Sequence, residues 1–219
     1  MSDVIITVRG EHEARVAPER ASVRISVRTE GPERTAVVDS ALRLAEPLRT
    51  SIAARKDAGA VLEWSSRNFS VRAERPWNAE GKRLAPVYYA NVDFTATFVE
   101  ASELSIWISE ISSWEGIEVG WVNWHLTPET TARIEREVAA AAVGVAVTRA
   151  HAYAGALGMN DVTPLEIADT GLISSGQPGP SPMTKARGMA FAADSAPAME
   201  YEPEDIVISA TVEARFAAH

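Results

Sequence analysis

Segments in which apolar and polar residues alternate come in adjacent pairs along this chain, and this arrangement constrains the fold more than any other feature. The first pair covers residues 4–9 and 21–28, and the second covers about 61–74 and 86–99. Alternation with a period of two is typical of strands with one buried face, and Gly10 predicts a β-bulge in the first of them. Neighbouring strands joined by turns form antiparallel sheet, so the sequence predicts an α+β fold.

Helical patterns follow each of these pairs. One begins after Gly31-Pro32 with an apolar stripe, and Pro47 inside it predicts a kink or a split into two pieces. Ser102 is the predicted N-cap of a second helix. The longest helix is predicted to begin at Thr127-Pro128 and to end before Gly158.

Three further strands complete the order ββαββαβαββ, at 117–126, at 162–168 and from Ile206 onward. We therefore expect a largely antiparallel arrangement with about three to four helices packed against it, in one domain over residues 1–219. The stretch 171–199 is rich in Gly, Pro, Ser and Ala and offers little apolar surface to offset its ordering entropy, so it is predicted to be a mobile loop.

Charge and cysteine content exclude several classes of function. The formal net charge of −9 and the pI near 5.0 argue against nucleic acid and against anionic membrane surfaces as partners. The chain has no cysteine, which excludes thiol catalysis, disulfides and Cys-ligated zinc. No apolar run approaches a membrane span, and residues 1–9 lack the features of a signal peptide, so we expect a cytoplasmic protein.

Three segments in this order resemble the SIMPL-domain family. They are ITVRGEHE with VAPERA at 6–21, the alanine-rich RAHAYAGALG at 149–158, and EPEDIVISATV at 202–212. The resemblance implies no catalytic residues, because none is established for the family. It also implies a bacterial, stress-related role, since its better-known members are exported bacterial proteins linked to oxidative-stress defence, one of which assembles into a ring.

No motif of catalysis or metal binding emerges from the titratable residues. His151 has no second histidine at metal-ligand spacing, and His125 has no nucleophile in a recognisable setting. Asp93 and Glu63 could face each other across the second strand pair as an acid and a base, but a solvated polar sheet face explains them as well. We therefore predict no enzymatic activity, no cofactor and no metal site.

Self-association is the function that the apolar pattern favours. The longest helix has a core stripe (Ile134, Val138, Ala141, Val145 and Ala152) and a second apolar surface on the other side (Ala139, Val143, Val147, Ala150 and Ala154). A helix apolar on both sides is normally covered on both sides. Trp121 and Trp124, three apart on one strand, point to opposite faces, so one of them can be an exposed contact. The predicted interface residues are Val143, Val147, Ala150, Ala154 and Trp124.

Two alternatives remain. The first is a small-molecule-binding protein or enzyme whose aromatic pocket is lined by Trp64, Tyr88, Tyr89, Trp107 and Trp121, with His125 and Asp93 as its polar groups. The second is capture of a protein partner by the loop 171–199 through Met183, Met189 and Phe191.

Overall fold

The computed structural model describes residues 4–173 and 202–219, which form seven strands and three helices. The strands are β1 (Val4–Val16), β2 (Arg20–Gly31), β3 (Val61–Glu74), β4 (Val87–Phe98), β5 (Ile117–His125), β6 (Val162–Asp169) and β7 (Ile206–Ala218). The helices are α1 (Arg34–Asp57), α2 (Ala101–Ile111) and α3 (Pro128–Ala156). All strand pairs are antiparallel, so the predicted α+β class and element order are confirmed.

The chain divides into two compact units. The three-stranded unit contains the described residues 4–17, 127–173 and 205–219, with strand order β1-β7-β6 and helix α3. The four-stranded unit contains 18–126 with 202–204, and its strand order is β3-β4-β2-β5, with helices α1 and α2. That both units behave as one domain over residues 1–219 stays a prediction.

The core of the four-stranded unit contains the apolar residues that the alternating pattern predicts to be buried. The apolar positions of β2, from Ala21 to Val27, and those of β4, from Ala90 to Phe98, are buried. Helix α1 packs on them with a stripe that includes Leu48 and Ile52. The predicted split at Pro47 is wrong, because α1 runs unbroken through this exposed proline. Residues of α1 before and after the proline are buried against the same sheet, and this packing keeps the helix in one piece.

In the core of the three-stranded unit, the helix contributes small residues. Helix α3 buries the alanines 142, 146, 150 and 154 against apolar residues of β1 and β7, such as Val8 and Phe216. The bulge predicted at Gly10 is wrong, because β1 pairs with β7 in unbroken register and Gly10 lies opposite Val212. Gly10 instead makes room for the backbone of α3, which passes directly over it.

The ends of α3 follow the predicted rules, whereas the start of α2 does not. The Thr127 side chain accepts a hydrogen bond from the Thr130 backbone N–H at 3.2 Å, and Gly158 has a φ of 77° just past the last turn. Ser102 was predicted to cap α2. The helix instead begins at Ala101 after Glu100, whose side chain makes no capping hydrogen bond.

Candidate functional site

The face of the four-stranded sheet opposite its core carries a network centred on Asp93 of β4. This carboxylate accepts four hydrogen bonds, from Ser26 Oγ at 2.7 Å, Arg24 Nη2 at 2.8 Å, Asn91 Nδ2 at 2.9 Å and Asn68 Nδ2 at 3.2 Å. The donors come from β2, β3 and β4. The Asp93 side chain keeps only 9% of its exposure, so the polar face is not simply solvated as the sequence pattern suggested.

The four donors determine the charge state of Asp93. Burial by itself would raise the pKa of this carboxyl, but the hydrogen bonds from Ser26, Asn91, Arg24 and Asn68 outweigh burial and hold the pKa well below its ordinary range. A general acid or base needs a pKa near the working pH. Asp93 is ionised and accepts hydrogen bonds from three strands, so its role is to hold these strands together.

Asp93 and Glu63, which the sequence allowed as a facing pair, do not face each other. Asn68 lies opposite Asp93 in the β3–β4 register, whereas Glu63 lies opposite Thr97, four residues further along β4. The register shifts between Ser66 and Asn68 determine which β3 residue meets the carboxylate. Strand alternation alone cannot give this pairing, because an irregularity in β3 moves every later residue by one position.

Among the described residues of the four-stranded unit, Trp121 is the most exposed large apolar side chain, with 76% of its surface accessible. It lies on β5, which among the described strands has one hydrogen-bonded neighbour, β2. The β2–β5 register shifts between Val23 and Ile25, so Gly120 and Trp121 together face Arg24 in a β-bulge. Trp124 packs against the core of the same unit, which confirms that the two tryptophans point to opposite faces.

Comparison with known proteins adds one finding. The model of the SIMPL family, described as a protein of unknown function (DUF541), matches residues 6–216. The chain belongs to the SIMPL family. The match spans both compact units of this SIMPL chain, from β1 to β7. No curated protein matches it.

The aromatic residues of the predicted pocket differ in their surroundings in this SIMPL chain. Trp107 is fully buried and its indole N–H donates to Ser51 Oγ at 3.0 Å, whereas Trp121 is open. Trp64 and Tyr88 are partly buried against the core of the four-stranded unit. His125 is partly buried at the end of β5, with its Nδ1 3.2 Å from the carbonyl oxygen of Asn123.

The predicted division of α3 into two apolar sides needs correction. Ala150 and Ala154 are buried in the core with Ala142 and Ala146, and Val143 and Val147 are partly buried against the same core. Each step of four residues advances about 40° beyond a full helical turn. The line of buried residues therefore winds around α3 from the predicted core stripe to the predicted second surface.

Two open depressions lie on the three-stranded unit. One, of about 400 Å³, includes Arg9, Glu11, Arg149 and Glu213, and here Arg9 pairs with Glu213 at 3.1 Å. The other, of about 430 Å³, is apolar and lies between the start of β1 and the last turn of α3. The sequence alone predicts neither depression, because each is lined by segments that are far apart in the chain.

Other predicted features can be located only in part. Of the loop 171–199, the structure describes residues 171–173, so Met183, Met189 and Phe191 lie outside the described residues. Within 4–173 and 202–219, no three His, Asp or Glu side chains are grouped to hold a metal ion. No helix in these same ranges is long and apolar enough to cross a membrane.

Proposed function

We propose that this SIMPL-family chain is a self-associating binding module that carries out no chemical step, and that Trp121 carries the contact between copies. The observation behind this proposal is the exposure of Trp121, at 76%, on an edge strand. Tryptophan is enriched among the few side chains that dominate binding energy at protein interfaces. Its large apolar ring gains free energy when a partner removes it from water.

The local backbone supports this role. A Cβ atom at Gly120 would lie 3.0 Å from the carbonyl oxygen of Arg24, so the strands are close together beside Trp121. A β-bulge re-aims the side chain at its position, and Trp121 lies in this one. Among the described strands, β5 also stands at the edge of its sheet, and the backbone groups of an edge strand can pair with a strand of a second copy.

The absence of a chemical step is supported by the state of the candidate groups. Asp93 is held as a carboxylate by four donors, and Trp107 is closed within the core. Asp93 therefore offers a substrate no poised acid or base, and Trp107 offers it no accessible ring.

Light scattering after size-exclusion chromatography tests the proposal. The wild-type chain, at micromolar concentration, should give a mass above that of one 23.6 kDa chain. Trp121→Ser should lower the mass toward the monomer. Trp77→Ser is the matched control, because Trp77 is 62% exposed in the same unit and is not part of β5.

Two results would reject the proposal. One is a monomeric mass for the wild type up to about 100 μM, a concentration at which even weak pairs associate. The other is an equal mass for the Trp121→Ser and Trp77→Ser variants. Far-UV circular dichroism of each variant confirms that the fold is retained in the comparison.

A stress-related role is also proposed, and its support is the family resemblance. Loss of the gene should increase sensitivity to peroxide, and the wild-type copy should restore resistance. If the role depends on self-association, the Trp121→Ser copy should fail where an Ile106→Ser copy, changed at a 62% exposed position of α2, succeeds. Equal sensitivity with and without the gene would reject this role.

A further inference from the structure

The turn between β3 and β4, residues 75–86, is an ordered element that we call the hairpin tip. The Asn78 backbone N–H donates to the Lys82 carbonyl at 2.9 Å, and the Asn78 side-chain oxygen accepts from the backbone N–H groups of Glu80 and Lys82. The Leu84 N–H donates to the Pro76 carbonyl at 2.9 Å. The side chains around this turn are therefore presented by a defined backbone.

The hairpin tip exposes apolar side chains beside cations. Trp77 is 62% exposed and Leu84 is 47% exposed. The Arg83 guanidinium lies 4.9 Å from the centre of the Trp77 ring, and Lys82 and Arg75 are exposed nearby in sequence. None of these three cations forms a salt bridge with a carboxylate in the described part of the chain.

The charge of the hairpin tip opposes that of the chain. Arg75, Lys82 and Arg83 against Glu80 give the tip a net charge of +2, in a chain of net charge −9. Charges further away than about 8 Å are largely screened at physiological ionic strength, so a partner at the tip meets the local positive charge. The tip therefore favours an anionic partner although the whole chain does not.

We infer that the hairpin tip is a contact site for a membrane surface that carries anionic phospholipid headgroups. Tryptophan is enriched at the membrane–water interface, because its apolar ring contacts the hydrocarbon there while its N–H stays hydrated. Lysine and arginine next to it bind the negative surface, and Leu84 gains from burial among acyl chains.

A nucleic acid fits the same residues less well. Bases stack on open aromatic faces, whereas Arg83 covers one face of Trp77. Three cations also provide few phosphate contacts, and an aliphatic side chain such as Leu84 adds nothing to phosphate binding. The combination of one indole, one leucine and three cations fits the interface of a bilayer best.

Co-sedimentation of the full chain with vesicles tests the inference. Binding is expected to vesicles of phosphatidylcholine mixed with phosphatidylserine, and to fall with added salt. Trp77→Ala/Leu84→Ala should weaken binding about tenfold or more, because it removes the two apolar side chains that enter the bilayer on binding. The matched control is Leu42→Ala/Ile106→Ala, which removes side chains 53% and 62% exposed from α1 and α2.

A second pair of variants isolates the charge. Lys82→Gln/Arg83→Gln should weaken binding to the anionic vesicles about thirtyfold, from about 1 kcal/mol for each cation near the surface. Arg133→Gln/Arg136→Gln, two exposed positions on α3, is the control and should leave binding unchanged. All four changed positions are exposed, and melting temperatures within a few degrees of wild type verify folding.

Several outcomes would overturn the inference. The first is that the chain sediments with neither type of vesicle. The second is that it binds vesicles of phosphatidylcholine alone as well as those with phosphatidylserine. The third is that the tip variants and their controls lose the same amount of binding. Tip-dependent retention by duplex DNA without vesicle binding would replace the membrane by a nucleic acid. The inference is independent of self-association, so the ratio between tip variant and control should persist in a Trp121→Ser background.

Discussion

Gly10 of β1 and Ala142 of α3 bring a strand and a helix into backbone contact. A Cβ atom added to Gly10 would overlap the Ala142 carbonyl oxygen and lie 2.7 Å from the Ala146 backbone nitrogen. Neither atom is the end of a flexible side chain, so only a shift of the whole helix could relieve the overlap. Glycine at this position is therefore required by the close packing of the three-stranded unit.

We predict that Gly10→Ala destabilises the three-stranded unit by about 3 kcal/mol or more, the upper range of overpacking effects. Urea denaturation followed by circular dichroism measures the loss. Gly144→Ala is the control, because a Cβ there meets no atom within 4 Å and an exposed helical glycine costs about 1 kcal/mol relative to alanine. Gly144→Ala should thus stabilise, and equal midpoints for the two variants would contradict the close-packing account.

Asp93→Asn tests the network on the polar face. The change removes the charge that Arg24, Ser26, Asn68 and Asn91 surround, and should cost about 2 kcal/mol or more near neutral pH. Glu63→Gln alters an exposed carboxyl on the same sheet face and should change stability by less than about 0.5 kcal/mol. Chemical denaturation of both variants at one pH gives the comparison.

The same variant carries a pH signature. Because the pKa of Asp93 is lower in the folded chain than the value of about 3.9 expected when unfolded, unfolding takes up a proton at low pH. The advantage of wild type over Asp93→Asn should be constant above about pH 5 and should shrink as the pH falls below about 4. An advantage that grows on acidification would show that the carboxyl is not stabilised as an anion.

Thr127→Ala and Ser102→Ala separate a true helix cap from a false one. Thr127 caps α3 through its side chain, so its loss should cost about 1 kcal/mol. Ser102 lies inside α2 and is exposed, so alanine there should be neutral or stabilising by up to about 0.5 kcal/mol. Thermal or urea midpoints distinguish them, and a comparable loss from Ser102→Ala would restore Ser102 as the cap.

Pro47→Ala should stabilise the four-stranded unit. Proline in a helix interior costs about 3 kcal/mol relative to alanine, and Pro47 is exposed, so its replacement leaves the core unchanged. We expect a gain of about 1–3 kcal/mol in urea denaturation. Thr50→Ala, an exposed position one turn later, should gain no more than about 0.7 kcal/mol. Destabilisation by Pro47→Ala would mean that the proline shapes α1 in a way that the core requires.

Local patterns predicted the elements well because they depend on neighbours in sequence. The alternation of β2 and β4 and the caps of α3 at Thr127 and Gly158 each involve only a few consecutive residues. Contacts between distant segments were not predictable in this way. The donors to Asp93 depend on how three strands are aligned, and the register shift before Asn68 decides one of them.

The orientation of α3 shows a second limit of sequence reasoning. Its residues from Ala139 to Ala154 are mostly alanine and valine, so hydrophobicity is similar all around the helix and does not select a buried side. The buried side is the one on which the α3 backbone at Ala142 and Ala146 passes over Gly10, a contact between segments far apart in the chain. The exposure of Trp121 was one of two options in the sequence, and the tertiary structure decided between them.

The chain order of the three-stranded unit has a consequence for protein synthesis. Its central strand β7 follows β1 only after the whole stretch 18–126 has been made, so β1 waits for a much later segment before it can pair. Residues 18–126, by contrast, supply every strand and helix that the structure describes in the other unit, in one continuous stretch. During translation the four-stranded unit can therefore mature first, and synthesis of β7 is the event that lets β1 fold.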